Sequence, residues 1–235
     1  MTVEEVMSEL KGYGNESTKK IFIKHGAQEP FFGVKVQDLK KIQKKVKKDH
    51  ALSLALYDTG NSDAMYLAGL IADENEVTKD QLNKWVDGAY WYMLSEFTVP
   101  WLAADSKHAV DIALEWIESD QERIAAAGWS TLASHVGIKA DEELDLGLYA
   151  KLLDRVQLEI HHAQNRVRYG MNAFVIAIGS WIITLTEKAI EVGKEIGKVN
   201  VEMGGTACKV PLIPEYIEKV KSRGSLGRKK KMARC

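Results

Sequence analysis

The chain has 235 residues, a net charge of −1, 46% hydrophobic and 28% charged residues. That balance describes an ordinary globular protein with one sizeable core or two small ones. No apolar run reaches 18 residues, two cysteines (Cys208 and Cys235) make no disulfide framework, and no Cys/His spacing suits zinc.

Adjacent His161 and His162 would project about 100° apart on a helix, a poor arrangement for two ligands. Neither a Walker loop nor a G-x-G-x-x-G fingerprint is present, so no metal and no cofactor are expected. The opening MTVEEVMSELKGYG is acidic and amphipathic, unlike a secretory leader, and a cytoplasmic location is expected.

The elements in chain order read as helix after helix. The stretch KVQDLKKIQKKVKKDH (35–50) carries seven lysines against Asp38 and Asp49. It is either the solvated face of a helix or part of a polyanion site, with Lys40, Lys44 and Lys47 as candidate contacts. In DAMYLAGLIAD, apolar residues recur at helical steps at Met65, Leu67, Ala68 and Ile71. KHAVDIALEWIESD repeats the stripe with Val110, Ile112, Ala113, Trp116 and Ile117, whereas ERIAAAGWSTLASHVG and NRVRYGMNAFVIAIGSW are small and apolar on nearly every face. Small apolar helices at 64–72, 122–136 and 165–180 thus alternate with amphipathic ones at 107–118, 143–157 and 185–196. Such alternation predicts an all-α solenoid of degenerate HEAT-like repeats with a free concave face, against the alternative of an irregular helical bundle. Asp63, Thr78, Ser106, Asp120 and Thr186 are candidate N-caps.

One segment breaks the helical rule. KVNVEMGGTACKV (198–210) alternates around Gly204-Gly205, which predicts a short β-hairpin or else a crossover loop. The last stretch, KVKSRGSLGRKKKMARC (219–235), holds eight Lys or Arg and no acid. A single domain over 1–222 and a basic tail over 223–235 are expected, with Arg228, Lys229, Lys230 and Lys231 as candidate phosphate contacts.

The stretch GAYWYMLSEFTVPWL (88–102) gathers five aromatic rings around one acid, Glu96. Counted as an α-helix, Phe97 and Trp101 lie four apart and point to the core, while Tyr92 and Glu96 share another face that can open on a groove.

In order and separation, the entry EPFFGVKVQDLKKIQKK, the following YDTGNSDAMYLAGLIAD and the segment WYMLSEFTVPWL resemble the HEAT-like repeat proteins of the DNA alkylation repair family over nearly the whole chain. The family's glycosylases remove cationic N3- and N7-alkylated purines, which are already good leaving groups. They need a carboxylate to stabilise oxocarbenium charge, and aromatic faces to hold a cation and the sugar.

The resemblance places Trp91 at the first groove tryptophan, Tyr92 at the second, and Glu96 at the catalytic aspartate. Arg123 matches a phosphate-binding arginine, and Arg166 and Arg168 open the next repeat helix in the same sense. A third aromatic is expected near Asn172 and Ala173, where this chain has none. These departures resemble a branch of the family that kept the DNA-binding scaffold and altered the glycosylase residues. The expected function is recognition of branched, distorted or alkylated DNA by a monomer, nucleoid-associated when bound. The alternatives are an alkylpurine glycosylase acting through Glu96, and a protein-binding repeat scaffold.

Overall fold

The computed structural model describes residues 1–204 and 209–234. Among these are thirteen α-helices: α1 (Val3–Gly12), α2 (Glu16–Lys24), α3 (Val36–Val46), α4 (His50–Tyr57), α5 (Ser62–Ile71), α6 (Lys79–Gly88), α7 (Val99–Asp105), α8 (Ala109–Trp116), α9 (Glu122–Val136), α10 (Leu146–Glu159), α11 (Asn165–Trp181), α12 (Thr186–Ile196) and α13 (Ile213–Ser222). A π-helical segment, Met93–Thr98, leads directly into α7.

From α4 onward the helices pair as α4 with α5, α6 with α7, α8 with α9, α10 with α11 and α12 with α13. The second member of each pair touches the second member of the next, which builds an inner layer of α5, the π segment with α7, α9, α11 and α13. Every residue of α5 is buried, as are nine positions of α9 and eleven of α11. The small residues that looked apolar on all faces therefore form this layer. Gly69 shows why they must be small: a Cβ there would lie 2.4 Å from Cγ2 of Thr98 in the π segment.

The outer helices are linked by ion pairs that step along the array, Lys79 with Glu115, Glu118 with Arg155 and Asp154 with Lys188, and Glu187 then pairs across to Lys221 on the inner α13. The first two pairs span 36 and 37 residues, so the repeat length is written in charge as well as in hydropathy. Each such surface pair contributes little energy, about 0–1 kcal/mol.

The inner helices run parallel. The α11 start meets the α9 start, where the Arg166 backbone N–H donates to Glu122 Oε1 at 2.8 Å. Their ends meet where Gly137, just after α9, faces Trp181 at the end of α11. The inner layer thus has an edge of helix N-termini and an edge of helix C-termini, about 25 Å apart along the 17-residue α11.

Two sequence expectations are corrected. The flanks of the expected hairpin, 198–204 and 209–210, contain no strand, and its turn (205–208) lies outside the described residues. Thr78 does cap α6 with a reciprocal capping box, but α5 is capped by Asn61. Asp63 is instead buried and accepts the backbone N–H groups of Phe32, Gly33 and Val34 at 2.6, 3.0 and 3.0 Å, which ties the loop before α3 to α5. No single helix among the described residues is long and apolar enough to cross a membrane.

Candidate functional site

A cavity of about 440 Å³ opens at the N-terminal edge of the inner layer, between the end of α2, the π segment, and the starts of α9 and α11. Its centre is Glu96. The carboxylate accepts from Arg166 Nε at 2.6 Å and from Nη2 at 2.5 Å, a two-point contact between residues 70 apart in sequence. The Glu96 side chain is 2% exposed and that of Arg166 21% exposed, so the acid is sealed beneath its partner. Burial pushes the Glu96 carboxyl above the usual carboxylate value, Arg166 pulls it back without cancelling the shift, and Glu122 adds to the upward push. Burial opposes the charge on Arg166, but the Glu96 carboxylate outweighs it and holds the guanidinium more firmly charged than usual. The guanidinium is also sandwiched by aromatic faces, 4.6 Å from the Tyr169 ring centre and 5.3 Å from that of Tyr92.

The π segment decides which aromatic ring reaches the cavity. In a π turn backbone hydrogen bonds reach five residues back, as when the Val99 N–H donates to the Leu94 carbonyl. Tyr92 and Phe97, five apart, are ring neighbours at 6.1 Å and both line the cavity. Phe97 was expected in the core; the added residue per turn rotates it into the cavity wall. Trp91 was expected to face a groove. It is buried against Phe22, with rings 5.5 Å apart, and its indole N–H donates to Ser62 Oγ at 2.8 Å. Trp91 borders the cavity but is 6% exposed, so little of its ring is free for stacking.

The other candidates separate clearly. Arg123 lies on the cavity rim, where Nη2 donates to the Asp87 carboxylate at 2.8 Å and to its carbonyl at 3.0 Å. Arg168, two residues beyond Arg166 on α11, is not part of the cavity wall. The third aromatic belongs to Tyr169, one turn before the expected place; Asn172 is buried and donates to the Pro211 carbonyl at 3.2 Å. Tyr169, Lys24 and His25 were missed by sequence reasoning. The YxxN spacing of Tyr169 and Asn172 on an entering helix was the signal that one turn separates the alternatives.

Lys40, Lys44 and Lys47 follow i, i+4, i+7 spacing and make no ion pair among the described residues. Their neighbours Lys41, Lys45 and Lys48 do, with Asp38, Glu9 and the Asp73–Glu74 pair. The tail lies far from the cavity. Gly227 N–H donates to the Ser180 carbonyl, Lys230 N–H to that of Gly137, and Ala233 N–H to Asp105, at 2.8–2.9 Å. The tail therefore crosses the C-terminal edge, and Arg228, Lys229, Lys230 and Lys231 are not groove residues. Lys229 turns inward to the Val136 carbonyl and Asp141. Among the described residues no cluster of three or more His, Cys, Asp or Glu is placed to hold a metal ion.

Residues 6–203 match the family model described as DNA alkylation repair enzyme. The chain belongs to the DNA alkylation repair family. The proteins Lin0241 of Listeria innocua and Lmo0209 of Listeria monocytogenes are each 36% identical over 229 residues, covering 95% of this chain and 99% of theirs. A solved structure described as a new family of proteins related to the HEAT-like repeat DNA glycosylases, with affinity for branched DNA structures, is 40% identical. It covers 100% of both chains with a TM-score of 0.93. The all-helical, HEAT-like repeat architecture expected from the helix alternation is thereby borne out, and Tyr92 and Glu96 both line the cavity.

Proposed function

We propose that this DNA alkylation repair family protein is a non-catalytic DNA-binding module that recognises branched or distorted DNA as a monomer in the cytoplasm, associated with the nucleoid when bound. The observation that carries this is the Glu96–Arg166 pair. A glycosylase needs a carboxylate free to face the sugar, and here both Glu96 oxygens are taken by a half-buried guanidinium. What the cavity offers instead is a set of half-exposed rings, Tyr92, Phe97 and Tyr169, around a fixed cation. Rings and a cation suit stacking on an unpaired base or an opened sugar face at a junction, without chemistry on it. The affinity for branched DNA of the 40%-identical relative supports the same partner. Lys40, Lys44 and Lys47 add unpaired charge for phosphates.

One preparation tests the proposal in two assays. Gel shifts on four-way and linear DNA are expected to show tighter binding to the junction. Incubation with alkylated DNA is expected to release no 3-methyladenine or 7-methylguanine. Tyr92→Ala is expected to weaken junction binding by about 1–3 kcal/mol, the value of one stacking contact. Release of methylated purine that is lost in Glu96→Gln would establish the glycosylase instead.

A further inference from the structure

We infer that the C-terminal edge of the inner layer is a second DNA surface, which holds a second duplex arm of the same branched substrate. This rests on the junction-binding proposal above and extends it to a surface about 25 Å from the cavity. The two basic stretches of the chain, remote in sequence, converge on this edge. Lys48, at the end of α3, and Arg234, near the end of the tail, pair with the same carboxylate, Glu74. Between Gly227 and Arg234 the tail crosses the ends of α11, α9, α7 and α5 in turn, a path of about 23 Å at extended-chain rise.

The cations along this path divide by direction. Lys229 and Arg234 turn inward onto helix-end carbonyls and acids, and they fasten the strap. Arg228 and Lys231 are exposed and have no ion pair among the described residues, and Lys230 lies exposed with its ammonium 5.4 Å from the Trp181 ring. Lys44 and Lys47, exposed and likewise unpaired, continue the strip at the α3 end beside Lys48. Of the acids near this edge, Glu74, Asp105 and Asp141 are already engaged by Lys48, Arg234 and Lys229, and the exposed Glu76, Glu142 and Glu143 are fewer than the five exposed cations, so the outward charge left over is positive. A row of exposed cations in excess of its local acids is suited to a phosphate backbone and supplies no base-reading group. A straight duplex at the cavity would have to bend to reach the opposite edge, at a cost of about 1–6 kcal/mol. A junction supplies a second arm at an angle without that cost.

The test compares a strip variant, Lys44→Ala/Lys47→Ala/Arg228→Ala/Lys231→Ala, with Tyr92→Ala and wild type across a salt series, on a four-way junction and on a linear duplex. All four substitutions are at exposed positions, and an unchanged melting temperature confirms folding. The strip variant is expected to lower the slope of log affinity against log salt by about 3–4 on the junction, near 0.9 per phosphate contact. On linear duplex the slope should change by less than about 1. Tyr92→Ala should lose affinity on the junction with its slope unchanged. An unaltered junction slope in the strip variant, or an equal loss on linear duplex, overturns the second surface. Slope loss in the strip variant together with wild-type binding by Tyr92→Ala overturns the cavity's role and leaves the strip standing. Failure of the wild type to bind the junction overturns both.

Discussion

The two edges of the inner layer handle charge in opposite ways. At the N-terminal edge the central ions are spent on each other: Glu96 holds Arg166, Asp87 holds Arg123, and Glu122 caps the start of α11. That favours a rigid cavity lined by aromatic rings, with the exposed Lys24 and Lys209 at its margin. At the C-terminal edge part of the cation set is fastened inward and part is left facing water. Helix C-termini carry partial negative charge, so a basic strap is attracted there whether or not it also meets a ligand. The same residue type thus builds structure at one position and leaves binding capacity at the next, and only the direction of the side chain tells them apart.

Substitutions can separate the two edges, beginning with the largest effects. Glu96→Ala strands a mostly buried guanidinium and is expected to cost about 3 kcal/mol in urea unfolding. Replacing both partners, Glu96→Leu with Arg166→Met, should recover most of that loss. Arg234→Ala, whose side chain is 4% exposed, removes donors from the Gly69 and Ala72 carbonyls and the partner of Asp105. A loss of about 2–3 kcal/mol by the same measurement is expected, which makes the inward part of the strap as structural as the cavity pair. If Arg234→Ala leaves stability unchanged, the strap is merely resting on the edge.

Gly69→Ala should cost about 1–3 kcal/mol, because the added methyl drives Thr98 and the π segment outward. It should also weaken junction binding through the displaced Tyr92 and Phe97, although position 69 touches neither.

Mild acid should act on the C-terminal edge first. His135 is buried near the end of α9, with Nδ1 3.2 Å from the Ala104 carbonyl, and burial lowers its pKa from the usual 6.5. The folded state therefore resists protonation while the unfolded state accepts it. The stability due to neutral His135 is complete above pH 6.5 and falls as pH drops toward the lowered folded value, by at most about 1.4 kcal/mol per unit. Urea titrations between pH 7.5 and 5.5 should show this slope in wild type and its absence in His135→Gln.

The smallest effect is expected from Lys40→Ala: no change in stability and a salt slope lower by about 0.9.

Much of the fold was legible in the sequence because hydrophobic periodicity survives in degenerate repeats, and α9 and α11 fall within a residue of their expected bounds. The site was less legible, for two reasons. Face counting assumes 3.6 residues per turn, and the π segment shifts that count by about one residue between Tyr92 and Phe97. The second reason is distance in sequence. Arg166 reads as a phosphate contact and Glu96 as an open acid until the fold brings them together across 70 positions. The course of the tail has a counterpart in the acids at the helix ends. Asp73-Glu74 and Asp141 follow the ends of inner helices and Asp105 is the last residue of another, where an acid opposes the helix dipole and calls for a cation. Lys229 and Arg234 are those cations.

Repeat arrays are ordinarily held together neighbour by neighbour, so one end can melt while the other stays ordered. Arg234 changes that connectivity. Its guanidinium reaches carbonyls 165 and 162 residues earlier in the chain, at the opposite end of the array. The intervening helix pairs are then enclosed in one loop, and none of them can swing open far without releasing that contact. Unfolding should be a single all-or-none transition by calorimetry, with matching calorimetric and van't Hoff enthalpies, and should split into a sequential melt once Arg234 is removed.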